Sequence, residues 1–128
     1  MSQPSLALIA PNFIVRDLKA AISFYCEMLG FYVAFQGPDE DPFLAIVQRD
    51  TVMIFVKVVG VDPLPNCKRH PWARWDAYVN APDPDALAAE FTSRGVTFSV
   101  PLQDTSDGLR GFELEDADGY VLFFGRPR

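Results

Sequence analysis

Residues 12–31, NFIVRDLKAAISFYCEMLGF, contain the pattern that decides the fold. The stretch begins as an apolar strand and becomes a helix at Asp17, whose carboxylate suits the N-cap position because it accepts amide hydrogens of the first turn. Gly30 suits the left-handed residue that ends a helix, and Phe31 starts the next strand. The residues between recur at the spacing of one apolar helical face: Leu18, Ala21, Ile22, Tyr25, Cys26 and Leu29. The pattern therefore predicts a β-α-β unit with its helix over residues 17–29.

The second half of the chain repeats this unit. Asp83 followed by Pro84 predicts another helix start, and Arg94-Gly95-Val96 repeats the helix end. Alternation and turn residues predict strands at 6–15, 31–36, 43–48, 52–58, 72–80, 96–100, 110–115 and 120–125. We therefore predict an α+β fold in a single domain, residues 1–128, made of two tandem β-α-β-β-β modules. Module 1 covers about residues 5–59, a proline-rich linker covers 60–71, and module 2 covers about 72–126.

The composition restricts the class of partner. A net charge of −6 without a basic stripe argues against a nucleic-acid partner, and it mildly favours a cationic small molecule. The 11 Phe, 4 Tyr and 2 Trp exceed the needs of one small core, which suggests a pocket or a subunit contact. Two cysteines form no disulfide framework, and neither a signal peptide nor an apolar run of about 20 residues is present. We expect a cytoplasmic protein with no membrane partner.

The single histidine, His70, lies in the linker three residues after Cys67. A zinc site would need two further ligands at finger-like spacing, so a solvated loop is the simpler interpretation. A hydrolase triad would need His70 or a carboxylate with a raised pKa as its general base. No phosphate-binding glycine loop occurs either.

Taken together, these motifs resemble the vicinal-oxygen-chelate superfamily, which includes glyoxalase I, extradiol dioxygenases, fosfomycin resistance enzymes and bleomycin resistance proteins. The similarity is carried by Val15-Arg16-Asp17-Leu18, Phe24-Tyr25, Leu29-Gly30-Phe31, Arg94-Gly95-Val96 and Asp116-Ala117-Asp118-Gly119. The resemblance implies that the mixed sheets of the two modules curl into a half-open cup. In the enzymes of the superfamily this cup holds a divalent metal, typically bound by His and Glu.

The positions that bind metal in the superfamily correspond here to Ala10, Phe55, Asp76 and Phe123. Only Asp76 is a ligand type, and hard divalent cations need several oxygen or nitrogen donors. The resemblance therefore implies a cup without a metal and without a cofactor.

Period-two alternation separates the two faces of each strand. It predicts that Trp75, Ala77 and Val79 point toward the helices, as do Ile54, Leu122 and Phe124 on the hairpin strands. The candidate ligand-binding residues on the cup face are Asn12, Met53, Phe55, Arg74, Asp76, Tyr78 and Phe123, with Arg110 and Glu113 on another strand. Two simpler interpretations remain open: Phe55 and Phe123 fill the cup, and Arg74 with Asp76 forms only an ion pair.

Among superfamily members, the chain is most similar to bleomycin resistance proteins, which are homodimers that sequester a cationic drug between subunits without chemistry. The resemblance implies a metal-independent binding protein, a homodimer, that sequesters a cationic or aromatic antibiotic or metabolite. The alternative is an enzyme of lyase, isomerase or dioxygenase type with an atypical metal site or with metal-free acid–base chemistry at Asp76 or Glu113.

Overall fold

Each half of the chain folds into one four-stranded mixed sheet with a helix on one face. A computed structural model describes residues 3–128. The first module contains β1 (Asn12–Ile14), α1 (Leu18–Ser23), β2 (Tyr32–Gly37), β3 (Leu44–Arg49) and β4 (Val52–Lys57). The second module contains β5 (Ala77–Asn80), α2 (Pro84–Ser93), β6 (Val100–Asp104), β7 (Leu109–Glu115) and β8 (Val121–Pro127).

The two sheets have equivalent topologies. Their strand orders are β1-β4-β3-β2 and β5-β8-β7-β6, and the first strand of each module pairs in parallel with its last strand. In this register Asn12 lies opposite Phe55, and Tyr78 lies opposite Phe123. The predicted α+β fold with tandem β-α-β-β-β modules is confirmed.

The first helix begins where the sequence predicts and then changes form. Oδ1 of Asp17 accepts a 3.1 Å hydrogen bond from the amide of Ala20, which confirms the N-cap. The α-helical part ends at Ser23, and a π-helical segment, Phe24–Met28, continues it. The apolar spacing predicts a continuous helix and does not signal this change of form. Gly30 has φ 73°, as its role at the helix end requires.

One hydrophobic core extends through both modules. The sheet faces that pack against the helices contribute Ile54, Leu122 and Phe124, which confirms the predicted alternation on the hairpin strands. Contacts between modules are aromatic and polar: the ring of Phe13 stacks on Tyr120 at 4.2 Å. Residues of each module help to bury core residues of the other. Neither module therefore covers the helix-facing side of its sheet alone.

Arg49 links the end of β3 to α2 through a bidentate ion pair. Its guanidinium donates hydrogen bonds of 2.9 and 2.8 Å to the carboxylate of Glu90 and one of 2.8 Å to the carbonyl of Leu29. Hydrogen bonding to Arg49 lowers the pKa of Glu90 below its ordinary value.

The first strand of each module is shorter than predicted. β1 starts after Pro11 and not at Leu6, and β5 starts at Ala77 and not at Trp72. Proline donates no ladder hydrogen bond, so Pro11 interrupts the first of these extended segments. The segment before Ala77 is held instead by hydrogen bonds of the Asp76 side chain.

β6 is also displaced from its predicted range of residues 96–100. It covers Val100–Asp104, and its pairing with β7 shifts register between Val100 and Gln103. The polar sequence after Pro101 resembles a loop, but Gln103 and Asp104 pair with Gly111 and Arg110. Tertiary pairing thus overrides local composition here.

Across residues 3–128, the helices lack the length and apolar character needed to cross a membrane.

Candidate ligand-binding site

A groove of about 730 Å³ runs between the two modules. Its walls come from the residues before β1, from the β3–β4 hairpin and from β5. Three of the predicted site residues, Met53, Asp76 and Tyr78, line this groove. Residues that the sequence interpretation did not include also line it: Ile9, Pro11, Asp50, Thr51 and Asn80.

Next to the groove, three aromatic rings form a stack on the cup face of the second sheet. The ring of Phe123 lies 4.3 Å from that of Trp75 and 5.8 Å from that of Tyr78. Phe123 is only 2% exposed, whereas Trp75 is 37% and Tyr78 44% exposed. The stack therefore presents two partly exposed aromatic side chains, Trp75 and Tyr78, which pack on the buried ring of Phe123.

Two glycines make room for the buried ring. A Cβ at Gly111 would lie 2.5 Å from the ring of Phe123, and one at Gly125 would lie 2.6 Å from it. Both positions also approach the backbone of the neighbouring strand. Phe123 thus lies flat on a part of the sheet that has no side chains.

Glu113 organises the polar part of the site. Glu113 is 4% exposed, and its carboxylate accepts hydrogen bonds from Arg74 at 2.9 Å, from Nε1 of Trp75 at 3.1 Å and from the hydroxyl of Ser99 at 2.9 Å. The hydrogen bond to Glu113 raises the pKa of Arg74. Arg74 thus forms its ion pair with Glu113 and not with Asp76. The same carboxylate holds the indole of Trp75 over Phe123.

Asp76 fastens the linker to the second sheet. Its two oxygens accept hydrogen bonds from the amides of Asn66, at 2.9 Å, and Val121, at 2.8 Å. Because the chain is bent at this point, regular alternation begins only at Ala77. Trp75 consequently lies on the cup face and not toward the helices, which corrects the predicted orientation.

The remaining predicted residues lie apart from the stack. Asn12 and Phe55 face one another across β1 and β4 in the first module. Arg110 lies on the helix side of its strand, where it donates hydrogen bonds to Asp85 at 2.8 Å and to Asp104 at 3.1 Å. Arg110 and the buried Phe112 lie on the same face of β7, whereas Glu113 lies on the opposite face. The guanidinium of Arg110 is therefore separated from Glu113.

Trp75 is the main functional candidate that strand periodicity misplaced. No local sequence signal identifies it, because strand alternation predicts the opposite face for Trp75. Asp50 and Thr51 lie between the predicted strands at 43–48 and 52–58, and the structure places their turn at the groove.

The four positions equivalent to metal ligands in the superfamily do not suit a divalent cation. Ala10, Phe55 and Phe123 offer no donor atoms, and both oxygens of Asp76 already accept amide hydrogens. Within residues 3–128, no three His, Cys, Asp or Glu side chains are grouped so that they could hold a metal ion.

Solved structures of similar fold span almost the whole chain. TioX from a Micromonospora species has a TM-score of 0.74 and 20% identity, over 95% of this chain and 99% of its own. A bleomycin-binding protein from bleomycin-producing Streptomyces verticillus, complexed with copper(II)-bleomycin, has a TM-score of 0.71 and 22% identity, over 98% and 100%. TnmS3, an antibiotic-binding protein from a Streptomyces species, has a TM-score of 0.69 and 22% identity, over 98% and 100%. At such identities the likeness concerns the fold alone.

No curated protein is significantly similar in sequence. The family model of the glyoxalase/bleomycin resistance protein/dioxygenase superfamily matches residues 6–124, which include most of both modules and the residues of the groove and the aromatic stack. The chain belongs to the glyoxalase/bleomycin resistance protein/dioxygenase superfamily.

Proposed function

We propose that this chain is a small-molecule-binding protein that holds a flat aromatic ligand against Trp75 and Tyr78, without a metal ion or other cofactor. The observation that carries the proposal is the half-exposed pair of rings, supported by Phe123 beside the groove. Ligand sites are concave, largely apolar, and contain a few fixed polar groups. Offset stacking on such rings favours a planar ligand.

Sequestration of an antibiotic or a related metabolite is the role that agrees best with this site. Bleomycin and other antibiotics are bound by proteins of similar fold. A cationic ligand has less support than an aromatic one, because the carboxylates of Asp76 and Glu113 are already engaged by donors. Asp50, which is exposed at the groove, is the acidic group that remains for a cation.

Metal-free acid–base catalysis has no specific observation in its favour. A general base must be able to accept a proton from the substrate. Glu113 is buried beneath Arg74 and Trp75, and Asp76 holds two backbone amides. Binding without chemistry is therefore the simpler function for these side chains.

We also propose that the chain works as a homodimer. The outer strand of the first sheet and the loop after it expose large apolar side chains: Tyr32 is 54%, Phe35 51% and Phe43 49% exposed. Exposed apolar patches of this kind are typical of interaction surfaces. Light scattering should give about twice the chain mass of 14.3 kDa at micromolar concentration, whereas a constant 14.3 kDa would contradict the dimer.

Ligand binding can be tested by a thermal-shift screen with planar antibiotics and aromatic metabolites, followed by titration of tryptophan fluorescence with each hit. We expect Trp75→Leu and Tyr78→Leu each to weaken binding at least roughly tenfold, which corresponds to a loss of about 1.4 kcal/mol. Val61→Ala, which shortens an exposed linker side chain away from the groove, is the control. EDTA should leave the affinity unchanged.

Two results would contradict the proposal. Loss of binding in EDTA would mean that a metal takes part. Unchanged binding in both aromatic variants, with normal melting temperatures, would place the ligand elsewhere.

A further inference from the structure

A second cavity adjoins the groove at the end of β5. It has a volume of about 160 Å³ and lies between the β3–β4 turn, the β5–α2 connection and the first part of α2. We call this smaller space the side cavity. Five residues line both the side cavity and the groove: Asp50, Val52, Val79, Asn80 and Pro82.

The side cavity has an apolar floor and a polar mouth. The floor contains the rings of Phe31, Phe91 and Phe124, all of which are buried. At the mouth, Asp50 and Asn80 are exposed to solvent. An apolar cavity of roughly 150 Å³ is large enough to bind benzene, so the side cavity has room for one ring or one branched alkyl group.

Contacts within the chain fix the walls of the side cavity. The guanidinium of Arg49 is held by both oxygens of Glu90 and lies 5.9 Å from the centre of the Phe91 ring. The carboxylate of Asp83 accepts a 3.1 Å hydrogen bond from the amide of Ala86 and thereby caps α2. Because these side chains are already held in place, the cavity is formed before a ligand enters, which lowers the cost of binding.

The charges around the side cavity select an uncharged group. The carboxylates of Asp50 and Asp83 line it and would repel an anion. The positive charge of Arg49 does not offset them, because Glu90 already pairs with it. A cation that moved from the mouth to the phenylalanine floor would lose its hydration without gaining a charged partner. An apolar, uncharged group has neither cost.

We propose that the side cavity binds a compact, uncharged apolar substituent of a ligand whose planar part stacks on Trp75 and Tyr78. Tyr78 and Asn80 are two residues apart on β5, a distance of about 6.6 Å along a strand. A phenyl or branched alkyl group joined to the planar part by two or three atoms can therefore reach the mouth of the cavity. This inference deepens the proposed function and rests on it, since it names the shape of the ligand.

Two neutral probes test the inference by calorimetry: naphthamide, which is only a planar ring system with an amide, and N-benzylnaphthamide, which adds a phenyl group on a short arm. We expect the wild type to bind the benzyl compound at least roughly tenfold more tightly, because the phenyl group leaves water for the side cavity. Naphthoylglycine, which carries a carboxylate on the same arm, should lack this advantage.

Substitutions of Leu87, which lines the side cavity and not the groove, assign the preference to this space. Leu87→Trp should fill the cavity and bring the ratio of the two dissociation constants close to one. Leu64→Trp places the same side chain on the exposed linker and should keep the wild-type ratio. If its melting curve shows that Leu87→Trp does not fold, Leu87→Ala decides. The enlarged cavity should then favour N-(naphthylmethyl)naphthamide over the benzyl compound more than the wild type does, and an unchanged relative affinity would overturn the inference.

The outcomes separate this inference from the proposed function. Equal affinities of the two amides for the wild type would overturn the role of the side cavity and leave the proposed function standing. A preference for the benzyl compound that persists in folded Leu87→Trp would do the same, because the phenyl group would then bind elsewhere.

Benzene distinguishes the two proposals if neither amide binds. Shifts of the backbone amide NMR signals of Ala81 and Leu87 on addition of benzene would keep the side cavity as a site for apolar groups and remove the proposed function. No response to benzene or to either amide would overturn both.

Discussion

The hydroxyl of Tyr25 donates a 2.6 Å hydrogen bond to Oδ2 of Asp116, and this buried contact joins the first helix to the last hairpin of the chain. The other oxygen of Asp116 accepts the amides of Asp118 and Tyr120. One carboxylate thus shapes the β7–β8 turn and also connects the two modules.

Tyr25→Phe should destabilise the fold by about 1–3 kcal/mol, because it removes one donor from a buried acceptor while keeping the packed ring. Urea unfolding followed by circular dichroism measures this loss. Tyr32→Phe, which removes a hydroxyl from an exposed side chain, should change stability by less than about 0.5 kcal/mol. Equal effects of the two substitutions would mean that the bond to Asp116 contributes nothing.

Asp116 should make stability depend on pH with an unusual sign. Burial raises its pKa from 3.8 to about 6, although its three hydrogen bonds oppose the shift. Between these two values the folded chain keeps a proton that the unfolded chain has lost. The contribution of this group to stability therefore grows as pH falls from about 6 to about 4, and it is lost as pH rises through 6.

The free energy of unfolding of wild type minus that of Asp116→Asn, measured from pH 7 to pH 4, isolates this effect. We expect the difference to increase by up to roughly 3 kcal/mol toward pH 4, at 1.4 kcal/mol per pKa unit. Other carboxylates, such as Glu90 with its lowered pKa, occur in both proteins and cancel. A difference that does not change with pH would contradict the raised pKa.

Leu29→Ala should cost roughly 2–5 kcal/mol, since Leu29 is completely buried at the end of the first helical segment. Lys19→Ala, on the exposed face of α1, should stay within about 0.5 kcal/mol. Chemical denaturation of both variants measures the two values. Similar losses would contradict the orientation of the helix.

Gly111→Ala should destabilise the second sheet by about 1–3 kcal/mol, because the new methyl group would overlap the backbone of Phe124 and the ring of Phe123. Displacement of that ring should also shift the fluorescence of Trp75, which stacks on it. Gly37→Ala is the matched control, since its nearest neighbours are atoms of the half-exposed ring of Phe35, which can move aside. Unchanged fluorescence and stability in Gly111→Ala would contradict the close packing of the Phe123 ring on Gly111.

Local sequence determined the parts of the fold that depend on neighbours along the chain. Asp17 caps its helix and Gly30 ends it because a short acceptor and a residue without Cβ have those conformational preferences by themselves. Alternation placed Ile54, Leu122 and Phe124 against the helices because these hairpin strands are regular. The repeat of these signals was enough to predict two equivalent modules.

Only the tertiary structure decided the face of Trp75, the register of β6 and the partners of Glu113 and Asp116. Asp76 bends the chain before β5 because it accepts amides from the linker and from β8, which lie far from it in sequence. Arg74, Trp75 and Ser99 likewise meet at Glu113 from distant parts of the sequence. Such contacts depend on how the strands and the two modules pack against one another. A short stretch of sequence does not specify that packing, because its free energy comes from residues that are distant along the chain.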